Sequence, residues 1–357
     1  MDEYTTLQVI WFLLISILWI GYFVLEGFDF GVGMLMRVVG RTPGERRAVL
    51  HSIGPVWDGN EVWLLVAGGA TFAAFPQWYA TLFSGFYLAL FLILVAVIVR
   101  NVSFEFWGKG DSDAWRVRWE WTMIVGSFLP ALLWGVAWAN IVHGVPIDRH
   151  GEFTGTLFTL LKPYALVGGL ATLTLFLTHG AIFLSLRTTG EVEQRARAIA
   201  ARVAPVAAAC VIGFLAWTLA NQDGVEAVSA ILAVGAAVLV VAAAVLVGRA
   251  PAQAFAATCG AIALLFCALF ADLFPHAMVS TTNPSFSLTL NEASSSHYTL
   301  SVMTVVAVLL VPVVLLYQAW TYWVFRRRIS AEDFGEVRTP IDLLSSGERH
   351  GGDSTGA

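Results

Sequence analysis

The chain consists of long apolar runs separated by short polar connections. Whole stretches of about 20 residues carry no charge, and a helix of that length crosses a hydrocarbon layer about 30 Å thick. Such a layer requires every backbone group to be hydrogen-bonded internally, so each run is predicted to be a membrane-spanning helix. The pattern predicts nine spans, near 7–30, 55–75, 79–99, 122–142, 157–185, 203–220, 225–248, 255–274 and 302–325.

Basic residues lie almost entirely in alternate connections between these runs. If the N-terminus lies outside, eighteen of the twenty Lys and Arg residues lie on the cytoplasmic side. Arg149 is left outside, and Lys162 lies at the start of the fifth span. The positive-inside rule therefore predicts an N-out, C-in orientation. The eighteen residues are Arg37, Arg41, Arg46, Arg47, Arg100, Lys109, Arg116, Arg118, Arg187, Arg195, Arg197, Arg202, Arg249, Arg326, Arg327, Arg328, Arg338 and Arg349.

The connections and ends complete the prediction of an all-α polytopic membrane protein. Residues 1–329 form the predicted transmembrane domain, and residues 330–357 form a polar cytoplasmic tail, partly disordered. Spans one and five both run inward and end in a basic loop, which indicates two four-helix units plus one extra helix. The Ser/Thr/Asn-rich connection 275–301 is expected on the outer face, packed over the bundle. The acidic N-terminus, Asp2 and Glu3, does not fit a cleavable signal peptide, so the first run is expected to be retained.

Composition supports the membrane class and excludes several others. Hydrophobic residues make up 58% of the 357, charged residues 13%, and the mean hydropathy is +0.74, far from the values of a soluble domain. The formal net charge of −5 indicates no specific partner, and we expect no nucleic-acid partner. The sequence has no Walker loop, dinucleotide fingerprint or zinc-spaced Cys/His pair. No metal site is expected, and Cys210, Cys259 and Cys267 are predicted to be small core residues.

Four carboxylates lie where carboxylates are energetically costly. Glu26 and Asp29 end the first apolar run, and Asp58 and Glu61 open the second. Each pair is three residues apart, which places both members on one face of a helix. An ionisable group at membrane depth costs several kcal/mol and normally faces a protein interior or a water path. The four acids are therefore candidates for function.

Histidines provide little opportunity for a haem site. Only His179 lies inside a predicted span, and a membrane b-type haem usually needs two axial side chains that face each other at one depth. Because His179 has no partner histidine at matching depth, this chain is expected to bind no haem itself. We interpret His179 as a hydrogen-bonded core residue, with a ligand or proton-transfer role as the less favoured alternative.

Several motifs resemble subunit II of the cytochrome bd quinol oxidases. The motifs are the GFD-x-G-x-G end of span one, the GPVWDGNEVWLL start of span two and the SGFY opening of span three. The run SLTLNEASSSHYTL and the last span, with Pro312, Tyr317, Trp320 and Tyr322, are similar to that family too. The resemblance extends from about Tyr4 to Gly335.

The resemblance implies a two-subunit terminal oxidase of a bacterial-type plasma membrane. Such an oxidase takes electrons from ubiquinol or menaquinol, reduces dioxygen to water and generates proton motive force without pumping. In the family, subunit I holds two b-type haems, haem d and the quinol-oxidising loop, whereas subunit II is a haem-free partner needed for haem assembly. The choice of quinol, a small accessory subunit and a quinone or lipid site in this chain are left open.

The resemblance also implies a cytoplasmic proton path from Asp58 to Glu26 and Asp29. Glu26 lies 19 residues beyond Leu7, about 28 Å along a helix at about 1.5 Å per residue. That distance places Glu26 near the inner side of the bilayer, the side from which Asp58 and Glu61 begin span two. We favour proton transfer for Asp58 and Glu26. For Asp29 and Glu61, proton transfer and a structural role are equally open.

Structural roles offer an alternative for each of these residues. The acids are also expected to fix helix packing by pairing with Arg100 or by capping the start of span two. Arg100 lies at the inner face, as the topology of basic residues requires. Its charge is also a candidate to neutralise either Asp29 or a haem propionate of the partner subunit. The family's proposed oxygen path would pass near Trp63, but tryptophan is common at interfacial depth in any case. Gly27, Gly31 and Gly33 are expected to allow close helix packing.

Two other classes of protein fit part of the pattern. A stand-alone proton-coupled transporter would also carry acids in its helices, but transporters usually place them at the bilayer midplane. Here the acids are predicted in one leaflet. A purely structural assembly subunit is compatible with everything except the energetic cost of the carboxylates.

Overall fold

The computed structural model describes residues 4–110, 112–221 and 227–334. The expectations for Asp2, Glu3 and most of the tail, including Arg338 and Arg349, lie outside these residues. The described helices are α1 (Thr6–Val39), α2 (Pro43–Ile53), α3 (Trp57–Ala74), α4 (Pro76–Gly85), α5 (Tyr87–Phe106), α6 (Asp113–His143), α7 (Pro163–Arg187), α8 (Gly190–Ala220), α9 (Ala227–Leu246), α10 (Pro251–Leu273), α11 (Leu290–Ala293) and α12 (His297–Val324).

Eight of the described helices are long and apolar enough to cross a membrane: α1, α5, α6, α7, α8, α9, α10 and α12. The predicted second span corresponds to α3, whose polar first turn, with Asp58, Asn60 and Glu61, lowers its apolar character. The ninth crossing, the two four-helix units and the orientation therefore stay predictions.

The predicted third span, 79–99, differs from the structure in its first half. Pro76 lacks a backbone N–H and begins α4, which ends at Gly85. After a break at Phe86, α5 begins and continues to Phe106. The hydrophobic pattern passes through this break without interruption, so hydropathy alone places the span too early.

Helix α1 lies at the centre of the bundle, packed against α3, α6, α7 and α10. Phe23 stacks on Phe266 of α10 with ring centroids 4.0 Å apart, and Trp19 meets Trp134 of α6 at 5.1 Å. At Gly31 the backbones of α1 and α7 nearly touch, because a Cβ there would lie 2.2 Å from the carbonyl oxygen of Phe176. The prediction that these glycines permit close packing is confirmed at this crossing.

The connection between α10 and α12 forms a small cap at one end of the bundle. Strands β1 (His276–Met278) and β2 (Leu288–Thr289) pair antiparallel, so the otherwise helical fold includes a short hairpin. The cap contacts the start of the bundle, since Gln8 donates to Asn291 (3.2 Å) and the Ser295 hydroxyl donates to the carbonyl of Ala73 (2.6 Å). The expectation that this connection packs over the helices is confirmed.

Helix α12 stands apart from the rest of the bundle. Leu300 is its only buried residue, in a helix that the structure describes completely. Its first turn is held by Trp11, which donates to the carbonyl of Leu300 (3.1 Å). Beyond its last turn, Ile329 donates a backbone hydrogen bond to Arg187 (2.8 Å) and accepts one from Thr189 (3.0 Å). Most of α12 is thus left to contact lipid or another chain.

Ion pairs tie the helices together at the other end of the bundle, the end at which α1, α5, α7 and α12 finish. We call it the basic end. Here the Arg195 guanidinium of α8 pairs with Glu45 of α2, and Arg328 pairs with Glu193 at 2.7 Å. Among the described residues, Arg195 and Arg328 of the set predicted to share one side therefore lie at this end with acidic partners.

Candidate functional site: a buried acid cluster

Glu26 and Arg100 form an ion pair inside the protein. Helix α1 brings Glu26 and helix α5 brings Arg100, and both side chains are fully buried. The Arg100 guanidinium also lies over the rings of Phe30 (5.0 Å) and Phe104 (5.6 Å), where cation–π attraction offsets part of the lost hydration. A charge within an apolar bundle is tolerated in this way only when it is paired.

Glu61 is the third member of the group. Its Oε2 atom lies 3.8 Å from Nη1 of Arg100, and its side chain is 13% exposed. Helix α3 packs on α1, so Glu61 of α3 and Glu26 of α1 both lie near the guanidinium. One arginine therefore serves acids from two helices.

Asp29 is fully buried and is held by a carboxamide. Its Oδ2 atom accepts a hydrogen bond of 2.6 Å from Nδ2 of Asn60. Asn60 is also fully buried, and its Oδ1 atom accepts from Tyr322 Oη (2.7 Å) and from Gln318 Nε2 (2.9 Å). Helix α12 thereby contributes to a site built on α1 and α3.

We define the buried acid cluster as Glu26, Asp29, Glu61 and Arg100. It contains three carboxyl groups and one guanidinium, so the arginine cannot neutralise all the acids at once. Five polar atoms of the cluster have no hydrogen-bond partner among the described residues, and each is buried. They are Glu26 Oε2, Asp29 Oδ1, Glu61 Oε2, Arg100 Nε and Arg100 Nη2.

Asp58 lies outside this cluster, on the surface of the chain. It is exposed in the first turn of α3, one turn before Glu61. A negative charge at this position interacts favourably with the helix dipole. The exposed face of α3 continues through Val62 (46%) and Leu65 (69%). The structure thus brings together three of the four predicted acids and leaves the fourth at an open face.

Trp63 lies on α3 and is half-buried against α1. Its ring covers Gly21, where a Cβ would lie 2.3 Å from the indole. Next to it, an apolar groove of about 460 Å³ runs between α3, α4 and α5, lined by Trp19, Leu64, Gly68 and other apolar residues. Trp63 is therefore a packing residue beside a groove, which is compatible with the predicted oxygen path but does not test it.

His179 is a hydrogen-bonded core residue that joins three helices. Its Nε2 lies 3.1 Å from the carbonyl oxygen of Val24, which can only accept, so Nε2 carries a proton. Its Nδ1 lies 2.7 Å from the hydroxyl of Thr258, and its ring stacks on Phe255. Neither nitrogen is free to ligate iron, so the surroundings of His179 do not fit a haem.

Another fully buried carboxylate, Glu120, was not predicted from the sequence. It is fully buried near the start of α6 and accepts hydrogen bonds from Arg37 (2.8 Å), Arg46 (3.1 Å) and Trp107 (3.2 Å). In the sequence, Glu120 is an acid among apolar residues near a basic loop. The same pattern identified Glu26. With two cationic partners, Glu120 is a structural anchor of the basic end.

The acid at the start of α2 is strongly stabilised in its charged form. Burial opposes ionisation of Glu45, but the Arg195 guanidinium and the backbone N–H groups of Thr42 and Arg41 outweigh it and lower the pKa to about 2. The ion pair between Glu45 and Arg195 joins α2 to α8.

Among the residues that the structure describes, no group of three or more His, Cys, Asp and Glu side chains is arranged to hold a metal ion.

Comparisons with known proteins agree with this architecture. A family model for cytochrome bd terminal oxidase subunit II matches residues 7–325. The cytochrome bd-I ubiquinol oxidase subunit 2 of Escherichia coli (strain K12) is 39% identical over 370 residues, which cover 93% of this chain and 98% of that protein. The cytochrome bd ubiquinol oxidase subunit 2 of Bacillus subtilis (strain 168) is 38% identical over 334 residues, or 92% and 98%.

The fold is also similar to that of a solved structure. A chain in the structure of bd oxidase from Geobacillus thermodenitrificans has a TM-score of 0.72 and 18% sequence identity, and the match covers 90% of this chain and 99% of that one. At this identity the likeness concerns the fold alone. The family model and the two sequence relatives carry the assignment: this multi-pass plasma-membrane protein belongs to the cytochrome bd terminal oxidase subunit II family.

Proposed function

We propose that this chain is the haem-free subunit of a two-subunit quinol:oxygen oxidoreductase. Its partner, subunit I, holds the two b-type haems and haem d, and the complex oxidises quinol, reduces dioxygen to water and builds proton motive force without pumping. Family membership supports the partnership with subunit I. Both ring nitrogens of His179 are hydrogen-bonded within the chain, which supports the assignment of the haems to subunit I. The relatives in E. coli and B. subtilis are named ubiquinol oxidase subunits. The alternative of a stand-alone transporter gains no support.

Within this complex, we propose that the buried acid cluster carries protons from the cytoplasm. The observation behind the proposal is the charge balance of the cluster. It holds three carboxyl groups, of which those of Glu26 and Asp29 are fully buried and that of Glu61 is 13% exposed, but only one buried guanidinium. Two uncompensated negative charges in an apolar bundle would be costly. At least one carboxyl group of the cluster is therefore expected to carry a proton. Hydrogen-bonding partners shared between the carboxyl groups would allow that proton to move from one to the next.

The geometry suggests the order of the groups. Asp58 is exposed and precedes Glu61 by one helical turn, so it would receive protons at the surface of α3. Glu61 and Glu26 share Arg100, which joins the α3 acid to the α1 acids. The unpaired atoms of the cluster are donors and acceptors that buried water molecules would satisfy, and such waters would link the carboxyl groups.

Replacement of Asp29 by Asn tests this path with the least structural disturbance. Asp29 has no ion pair closer than 4 Å among the described residues, so Asp29→Asn keeps its size and removes only the exchangeable proton. Turnover per haem d should fall by an order of magnitude or more, since a positioned proton-transfer group contributes about 10²-fold or more. The haem content of the purified complex should stay normal. Glu61→Gln should act in the same direction.

Glu120→Gln is the matched control. Glu120 is as buried as Asp29 and has two arginine partners, but it lies outside the cluster. This variant should reduce the yield of haem-loaded complex while leaving turnover per haem d unchanged. Normal turnover per haem d in both Asp29→Asn and Glu61→Gln would contradict the proton path, and it would leave the assignment to the oxidase family intact.

A further inference from the structure

Helix α12 reaches the cluster with two polar side chains, although it is otherwise almost unpacked. Gln318 and Tyr322 lie one helical turn apart, so they project from one face. Both are half-buried, while neighbours such as Leu316 (72%) and Tyr317 (64%) are exposed. Both side chains donate to the same atom, Oδ1 of Asn60.

These two hydrogen bonds determine which way the Asn60 carboxamide points. An amide oxygen accepts and an amide nitrogen donates, so two donors at Oδ1 fix the oxygen toward α12. The NH₂ group must then point to the other side, where it donates to Asp29 at 2.6 Å. If both donors were lost, the amide would be free to turn and present its oxygen to the carboxylate, an unfavourable contact between two acceptors.

The chain of bonds does not itself conduct protons. The N–H of a carboxamide is not released near neutral pH, so Asn60 interrupts any relay from Tyr322 to Asp29. Its effect is to hold Oδ2 of Asp29 and to leave Oδ1, which has no partner among the described residues, as the oxygen that can take up a proton.

We propose that Gln318 and Tyr322 are positioning residues for proton transfer, acting on Asp29 through Asn60. The inference rests on the proposed proton path, and it assigns to the last helix a role in the chemistry of a site on α1 and α3. The charged and titratable groups around Asp29 are Glu26 on α1, Glu61 on α3, Arg100 on α5 and Tyr322 on α12. Of these, only Tyr322 touches Asn60 directly.

The test compares Tyr322→Phe, Gln318→Met and the double variant in the intact two-subunit complex. Each single change removes one donor and keeps the side chain's volume, so one donor still orients Asn60 and turnover per haem d should fall less than threefold. In the double variant, turnover per haem d should fall on the order of tenfold, as expected when a buried hydrogen-bonded group loses its orientation. The pH dependence of turnover should change in the double variant, whereas haem content should not. Tyr317→Phe, an exposed neighbour on the same helix, is the matched control and should match the parent.

A second arm separates this inference from the proton path itself. In an Asp29→Asn background, the double variant should have no further effect on turnover per haem d, because residues that act through one group are not additive with its loss. Slow turnover in Asp29→Asn with unchanged turnover and pH profile in the double variant would overturn the positioning role alone. Additive losses in the two backgrounds would also overturn it, since α12 would then act independently of Asp29. Unchanged turnover in Asp29→Asn itself would remove this inference, and together with unchanged turnover in Glu61→Gln it would remove the proton path as well.

Discussion

At the scale of single residues, Arg100 decides whether the acids can be buried at all. It is fully buried, it pairs with Glu26, and it lies near Glu61. On the sequence alone, either Asp29 or a haem propionate of the partner subunit is a candidate to face its charge. The structure shows an ion pair with the neighbouring acid Glu26, so much of the charge is already compensated within the chain.

Removing Arg100 should therefore be far worse than removing the whole pair. Arg100→Met leaves Glu26 buried without its cation, which typically costs ~3–5 kcal/mol. The complex should lose thermal stability and haem content. The double variant Arg100→Met with Glu26→Leu removes both charges and should recover much of the stability, although turnover should remain low. Haem content and the thermal midpoint of the purified complex are the measurements. Equal losses in the single and double variants would show that packing, rather than charge pairing, is what Arg100 supplies.

The sequence predicts the acids better than it predicts their partners. Acids at the end of an apolar run are visible because charge is rare there, and the helical spacing of Glu26 and Asp29 places them on one face. The bond from Tyr322 to Asn60 joins residues 262 positions apart, and no local pattern reports such a contact. Asn60 is uncharged and lies between Asp58 and Glu61, so nothing in the local pattern marks it as the residue that holds Asp29.

At the scale of elements, hydropathy locates the helices but not their breaks. The break between α3 and α4 lies within apolar sequence, and only Pro76 marks it. The helices also extend beyond the apolar runs at the basic end. Helix α8 begins at Gly190, well before the predicted span 203–220, because its first turns lie outside the apolar layer and form ion pairs.

The link between α2 and α8 should depend on pH. The folded pKa of Glu45 is lowered from 4.5 to about 2, so its contribution to stability is complete above about pH 4.5 and is lost as the pH falls toward 2. Glu45→Gln should lower the thermal midpoint of the complex at neutral pH. The difference from the parent should shrink as the pH falls from about 4.5 toward about 2. Glu191→Gln, which removes a more exposed partner of the same arginine, should have little effect at any pH. A difference for Glu45→Gln that is the same at all pH values would argue against the ion pair as its cause.

At the scale of the whole molecule, the course of α3 determines the number of membrane crossings. Its 18 residues span about 27 Å, close to the thickness of the hydrocarbon layer. Asn60 near its start contacts Asp29, whereas Ala73 at its end contacts the cap that also binds Gln8. Helix α3 therefore returns along α1 to the end where α1 begins. This path supports a ninth crossing despite the polar first turn.

Chemical labelling of three positions distinguishes nine crossings from eight. In a background without Cys210, Cys259 and Cys267, single cysteines would be placed at Arg41, Gly108 and His150, in the connections after α1, α5 and α6. If α3 crosses, Arg41→Cys and Gly108→Cys lie on the cytoplasmic side, as the positive-inside rule requires.

In sealed right-side-out vesicles, a membrane-impermeant maleimide should then label only His150→Cys, while inverted vesicles should show the opposite pattern. Gly108 suits this experiment because a side chain there meets nothing within 4 Å. If α3 does not cross, Arg41→Cys and Gly108→Cys must react on opposite sides. That outcome would also place Lys109, Arg116 and Arg118 outside, against the charge bias. It would overturn the count of nine. The proposed cytoplasmic entry at Asp58 would fall only if Arg41→Cys, which lies in the connection that leads from α1 to Asp58 at the start of α3, were the position labelled from outside.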